Sequence, residues 1–240
     1  MSDRPCVTRP SGSVAVMAQR REPPDSLDFF PTPPWATRAL FKRMLMPRRL
    51  WHPQDRVWEP ACGEGHMSAV LQEFGATVIA TDVFDYSGGD PARWPAGWSH
   101  VQDFLDELAE APVADWIVTN PPFKVADQFA LRALMLALKG SALLVRTSWL
   151  EGGSRFRDVF EPYPPAIIAQ FAERVPMVKG RWDPSADTAT SYCWVVWLRG
   201  VKQPTEFVWI PPGQREALTL DKDIRRFCRL APMPLFGDDI

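Results

Sequence analysis

Residues 119–123 read Thr119-Asn120-Pro121-Pro122-Phe123, directly after the apolar run Val113 to Val118. Proline lacks an amide hydrogen, so this turn is stiff and cannot pair onward in a sheet. What it offers is acceptors: the Asn120 side-chain oxygen and a backbone carbonyl beside it. Two acceptors can hold both hydrogens of an exocyclic NH2 group, which pushes the nitrogen toward tetrahedral geometry and frees its lone pair for attack. Phe123 adds a flat face on which a ring bearing that amine can stack. Alone, the peptide also reads as a rigid connecting turn.

Three more features sit where strands should end. Glu59-Pro60-Ala61-Cys62-Gly63-Glu64-Gly65 is a glycine-containing turn between a strand and a helix. Gly63 and Gly65 let the backbone approach a ligand, and the following helix presents free amides. The loop has carboxylates and no P-loop lysine, which disfavours a triphosphate. Asp82 closes the next strand, where a carboxylate can accept from both ribose hydroxyls; a helix-capping role is the plain alternative. Asp103-Phe104 follows at a further strand end, suited to an adenine amine and its ring face, although such a pair alone is more often a cap and a core ring.

The elements that must carry these residues alternate. The pattern predicts a helix from Trp35 to Leu45 behind Pro33-Pro34, a strand over Arg56–Glu59, and a helix over His66–Phe74 closed by Gly75. Strands follow at Thr77–Thr81 and near Val101–Phe104, then a helical turn over Phe104–Glu110. A buried strand spans Ala114–Thr119, a helix Val125–Leu138 and a strand Ala142–Arg146. The runs Ala166–Phe171 and Ser191–Leu198 read as an antiparallel closing pair, separated by a polar loop that holds Trp182. The expectation is an α/β fold with a doubly wound, mostly parallel sheet, helices on both faces, and ligands beyond the carboxyl ends of the strands. Residues 1–26 read as a disordered basic head, 27–200 as the main domain, and 201–240 as a Pro-rich extension packed on it or trailing from it.

Bulk properties narrow the setting. With 240 residues and 46% hydrophobic content, the chain suits one large domain. No apolar run reaches the roughly 18 residues of a membrane span, and the N-terminus lacks a secretory h-region. Cys6, Cys62, Cys193 and Cys228 form no CxxC or Cys/His pattern, so neither a disulfide framework nor a metal site is expected, and a reducing cytoplasm is the default. Net charge is −2, but it is unevenly spread. Residues 1–50 hold nine Lys/Arg against four Asp/Glu, residues 51–138 four against thirteen, and residues 139–240 fourteen against twelve. An acidic centre suits a cationic small ligand, and basic flanks suit a polyanion.

In this order the motifs resemble those of class I S-adenosylmethionine-dependent methyltransferases. Glu59–Gly65, Asp82, Asp103-Phe104-Leu105 and Asn120-Pro121-Pro122-Phe123 resemble motifs I to IV. Phe29-Phe30-Pro31-Thr32-Pro33-Pro34 resembles motif X, which precedes motif I in the gamma class of DNA adenine-N6 methyltransferases. Phe129–Leu134 and Leu144–Leu150 resemble motifs V and VI. The resemblance spans about residues 28–200 and implies a seven-stranded, Rossmann-like methyltransferase sheet with an antiparallel edge hairpin.

It also implies roles. Phe30, Thr32, Glu59, Pro60, Ala61, Cys62, Gly63 and Gly65 would hold the methionine end of the cofactor. Asp82 would hold the ribose, and Asp103 and Phe104 would flank the adenine. Asn120 and the Pro121 carbonyl, in a turn stiffened by Pro122, would grip the target amine. Phe123 and Trp182 would stack on a flipped base. Arg38, Lys42, Arg43, Arg48 and Arg49 would contact phosphates, or form an ordinary exposed helix face. The implied reaction is in-line methyl transfer to adenine in DNA, without a metal. The family's long target-recognition domain has no counterpart in the forty residues that remain. Amines of RNA and glutamine amides of proteins therefore stay open as alternatives, with a non-catalytic scaffold behind them.

Overall fold

The computed structural model describes residues 28–201 and 204–228. The expected head, residues 1–26, lies outside them. Eight strands form one sheet in the order β3-β2-β1-β4-β5-β7-β6-β8. They are β1 (Arg56–Glu59), β2 (Thr77–Asp82), β3 (Trp98–Val101), β4 (Trp116–Thr119), β5 (Gly140–Arg146), β6 (Ile167–Phe171), β7 (Tyr192–Leu198) and β8 (Glu206–Ile210). Strands β1 to β5 pair in parallel, β7 runs antiparallel between β5 and β6, and β8 lies parallel to β6.

Alternation along the strands explains the two covered faces. Val57, Val78, Trp116, Leu144 and Trp194 face one core, shared with α1 (Pro34–Ala39) and α2 (His66–Glu73). Trp58, Ile117, Leu143, Val145 and Trp197 face the other, shared with α3 (Ala126–Leu136). Buried indoles need a partner for their N–H. Trp58 donates to the Thr81 hydroxyl at 2.9 Å, Trp116 to Asp55 at 3.1 Å, and Trp194 to the Ala36 carbonyl at 3.1 Å.

Four expectations need amending. The strand expected near Val101–Phe104 lies earlier, over Trp98–Val101, so Asp103 and Phe104 follow its end rather than close it. The helix after Pro33-Pro34 is α-helical only to Ala39 and continues as a π-helix over Leu40–Leu45. The stretch Phe104–Glu110 makes turns, not a helical segment. The side chains of Asp103 and Asp106 each accept the amide two residues on, at 2.9 Å, which competes with helical pairing. The segment after Gly200 adds an eighth strand to the seven expected, then α5 (Gln214–Leu218) and α6 (Asp221–Phe227) beside α1 and α2. No helix among the described residues is long and apolar enough to cross a membrane.

Candidate active site

The strand order reverses between β1 and β4, which are paired neighbours. Loops leaving them diverge to opposite faces and open a crevice at their carboxyl ends. The Glu59–Gly65 loop leaves β1, and the Asn120–Phe123 turn leaves β4. Asp82 ends β2 on the other side of β1. A cavity of about 280 Å³ lies here, lined by Phe30, Thr32, Glu59, Pro60, Ala61 and Cys62, by Asp82, Asp103 and Phe104, and by all of Asn120–Phe123. Segments as far apart in sequence as Phe30–Thr32 and Asn120–Phe123 thus share one wall.

The loop after β1 is shaped by its glycines. Gly63 and Gly65 hold φ of 52° and 81°, in the left-handed region. A Cβ on Gly63 would come within 2.3 Å of the Phe29 ring. The amide of Gly63 donates to Asp82 Oδ2 at 2.8 Å, and the Phe84 amide donates to Oδ1 at 3.1 Å. Burial outweighs these hydrogen bonds and pushes the Asp82 carboxyl up to about 6. Burial also raises Glu59 well above the usual carboxylate range, although the Ser68 hydroxyl donates to it. Cys62 is buried, and its thiol is held far above the ordinary range.

The NPPF turn is tied to the segment before α1. Asn120 Nδ2 donates to the Phe30 carbonyl at 2.9 Å, and the Phe123 amide donates to Asp28 Oδ2 at 2.7 Å. With its nitrogen so engaged, the amide presents Oδ1 the other way. That oxygen is buried and has no hydrogen-bond partner among the described residues. An unpaired buried acceptor costs roughly 1–3 kcal/mol, so its retention calls for an explanation. Phe123 is half-buried, with its ring centroid 5.2 Å from that of Phe30.

Asp103 is exposed at the cavity rim, whereas Phe104 is buried edge-on to Trp58. Phe104 is therefore a core ring that also lines the cavity. The cavity also takes in residues that were given no role: Asp28, Phe29, His66, Met67 and Tyr86. Phe29 could have been found from its neighbours Phe30 and Thr32, but Tyr86 carries no such signal. It reaches the site by folding back after β2, with its ring 4.4 Å from Phe29.

Two assignments do not survive the geometry. Arg38 is buried, and all five of its N–H donors are spent at 2.6–2.7 Å on Glu73, Asp223 and the Leu218 carbonyl. It cannot contact a phosphate without breaking that cluster. Lys42 and Arg43 are exposed, but on the wrong end of the molecule. Phe41 beside them stacks on Phe74, at the end of α2 remote from the cavity, and Arg43 donates to Gln214. Arg48 pairs with Glu206 at the start of β8, on the same far end. Trp182 is buried with its ring edge-on to His66 and does not line the cavity, so in this conformation it is no stacking platform.

No family model matches the chain, and no curated protein matches it in sequence. Solved structures do share its fold. A Vibrio vulnificus protein assigned as the modification subunit of a type I restriction enzyme superposes with a TM-score of 0.53 at 15% identity, covering 82% of this chain and 51% of its own. The chain thus spans about half the length of that protein. A Pyrococcus horikoshii protein assigned as an RNA methyltransferase gives 0.50 at 13% identity, covering 68% and 83%. The sheet has the Rossmann-like, mostly parallel arrangement of those structures, with an antiparallel strand near one edge.

Proposed function

We propose that the protein is an S-adenosylmethionine-dependent methyltransferase acting on the exocyclic amine of adenine in DNA. The observation that carries this reading is the Asn120 side chain, its nitrogen fixed by the Phe30 carbonyl and its buried oxygen left without a partner. An amine N–H donated to Oδ1 satisfies that oxygen and directs the nitrogen lone pair into the cavity.

The remaining residues fit the cofactor. Asp82 offers a carboxylate for ribose hydroxyls, Asp103 and Phe104 an acceptor and a ring edge for adenine, and Glu59–Cys62 a wall of the loop after β1, whereas Gly63 and Gly65 pack against Phe29 and Pro95 and do not line the cavity. The cofactor supplies an electrophilic methyl group. The chain's own part is to position the amine and polarise it, with Asn120 acting on the charge that develops there. Reaching a base inside a duplex requires flipping it out, at a cost of roughly a few kcal/mol. Phe123, half-buried at the cavity edge, suits stacking on that base.

Incubation with methyl-labelled cofactor and DNA, RNA or protein separately, followed by digestion to nucleosides or amino acids, tests the reading. Label recovered as N6-methyladenine from DNA supports it. Label only in RNA or in glutamine moves the substrate to another polymer while keeping the amine chemistry. Label on a hydroxyl overturns both.

A further inference from the structure

We propose that a second cavity beside the first, organised around Arg146, binds a backbone phosphate of the polynucleotide whose base is presented to Asn120. The inference rests on the nucleic-acid reading above and adds a site to it. The cavity measures about 180 Å³ and is lined by Phe123, Ala126, Val145, Arg146, Ser148, Trp149 and Arg155. Phe123 alone lines both cavities, so its ring is the partition between them.

Arg146 ends β5, and its guanidinium carbon lies 3.9 Å from the Phe123 ring centroid. It is absent from the lining of the first cavity, which puts it on the far side of the partition. A guanidinium stacked on a ring uses its π face and leaves its N–H fork free at the edges, the arrangement suited to a phosphate. One edge is held by the hydroxyl of Tyr192, the partner of Arg146 in the β5–β7 register. No carboxylate pairs with Arg146 among the described residues, and the side chain is exposed.

The other charges of this cavity are already matched. Arg155 donates to Asp127 and to the Trp149 carbonyl, each at 2.7 Å, and to the Glu151 carbonyl. Asp127 also accepts from the Trp149 indole at 2.7 Å. Among the residues lining this cavity, Arg146 therefore carries the positive charge with no paired carboxylate, beside the exposed Ser148; the Asp28 carboxylate lies near Tyr192 and accepts from the Phe123 amide. Since the two cavities adjoin at Phe123, a base stacked on the cofactor side would carry its sugar-phosphate toward the rim they share. No basic residue of α1 supplies this contact.

The test is anisotropy of a fluorescein-labelled single-stranded DNA 12-mer at several salt concentrations. It compares the wild-type chain with Arg146→Ala, Arg146→Lys and Lys42→Ala, alongside steady-state methylation of the same oligonucleotide. Loss of one phosphate contact should flatten the plot of log affinity against log salt by about 0.7 in Arg146→Ala. KM should rise by about tenfold while kcat falls much less, with Arg146→Lys restoring the slope and Lys42→Ala leaving it unchanged. A residue that merely props Phe123 would lower kcat and leave the slope alone, and that outcome overturns the proposal. Unchanged cofactor affinity certifies the fold of each variant. If the wild-type chain methylates DNA but Arg146→Ala keeps the wild-type slope, the phosphate site alone is refuted. If it neither binds nor methylates nucleic acid, the nucleic-acid reading falls and takes the site with it.

Discussion

Asp82 and Gly63, nineteen residues apart, meet in a 2.8 Å hydrogen bond that joins the end of β2 to the loop after β1. The acceptor is a buried carboxylate whose pKa is raised to about 6. In the unfolded chain it titrates near the ordinary aspartate value, about 3.9. Its folded pKa is the higher one, so the stability it contributes is fully present below about 4 and lost as pH rises through 6. Above pH 6 the empty protein therefore carries a buried negative charge. Asp82→Asn should stabilise the empty protein at pH 8 but not at pH 4, by an amount on the order of 3 kcal/mol, and its melting temperature should rise accordingly. Cofactor affinity should move oppositely. The ionised carboxylate is the better acceptor for ribose hydroxyls, so binding should weaken below pH 6, and Asp82→Asn should bind poorly throughout. Thermal melts at pH 4 and pH 8 check the first, and calorimetric cofactor titrations between pH 5 and 8 the second.

Gly63→Ala combines two faults. The residue sits at φ 52°, and the added methyl group would strike the Phe29 ring. The strain alone should cost about 1–3 kcal/mol, and displacing Phe29 should disturb the cofactor cavity it lines. Chemical denaturation should show the stability loss, and cofactor titration should show at least a tenfold weaker Kd.

Arg38→Ala tests the buried cluster of α1, α2 and α6. Removing the cation leaves the inward-facing Asp223 without its two 2.6 Å ion-pair contacts. The expected loss is about 3–5 kcal/mol in urea unfolding. Nucleic-acid affinity of the protein that remains folded should not change, in contrast to Arg146→Ala.

The motif positions were legible because short-range pattern and strand-end logic agree there. Glu59, Asp82 and Asn120 each close an apolar run, and closing parallel strands puts them on one rim. Six strands of the main sheet follow from the same apolar runs; β3 does not, because Trp98-Ser99-His100-Val101 is a mostly exposed stretch with no apolar run to mark it. The eighth was not legible, because Glu206–Ile210 alternates exposed Phe207 and Trp209 with inward Val208 and Ile210. Apolar residues on both sides of an edge strand erase the polar alternation that would mark it.

Charge was misread for a different reason. Arg38 looks solvated in sequence because its partners lie 35 and 185 residues away. The basic residues after it were placed at the rim, yet α1 starts at the rim and leads away from it. A helix advances about 1.5 Å per residue, so eight residues from Pro34 to Lys42 carry the chain about 12 Å. Arg146 passed unnoticed as the polar end of a strand, since only the fold brings it over Phe123.

The most direct measurement on the amine grip is the single-turnover rate of methyl transfer by Asn120→Ala, taken with its cofactor affinity. Removing a preorganised polar contact of this kind typically costs about 10²–10³ in rate. The expected result is a fall of at least a hundredfold, with cofactor Kd within a few-fold of wild type. A rate within about tenfold of wild type, roughly 1.4 kcal/mol, would contradict the assignment of Asn120 as the residue that holds the amine.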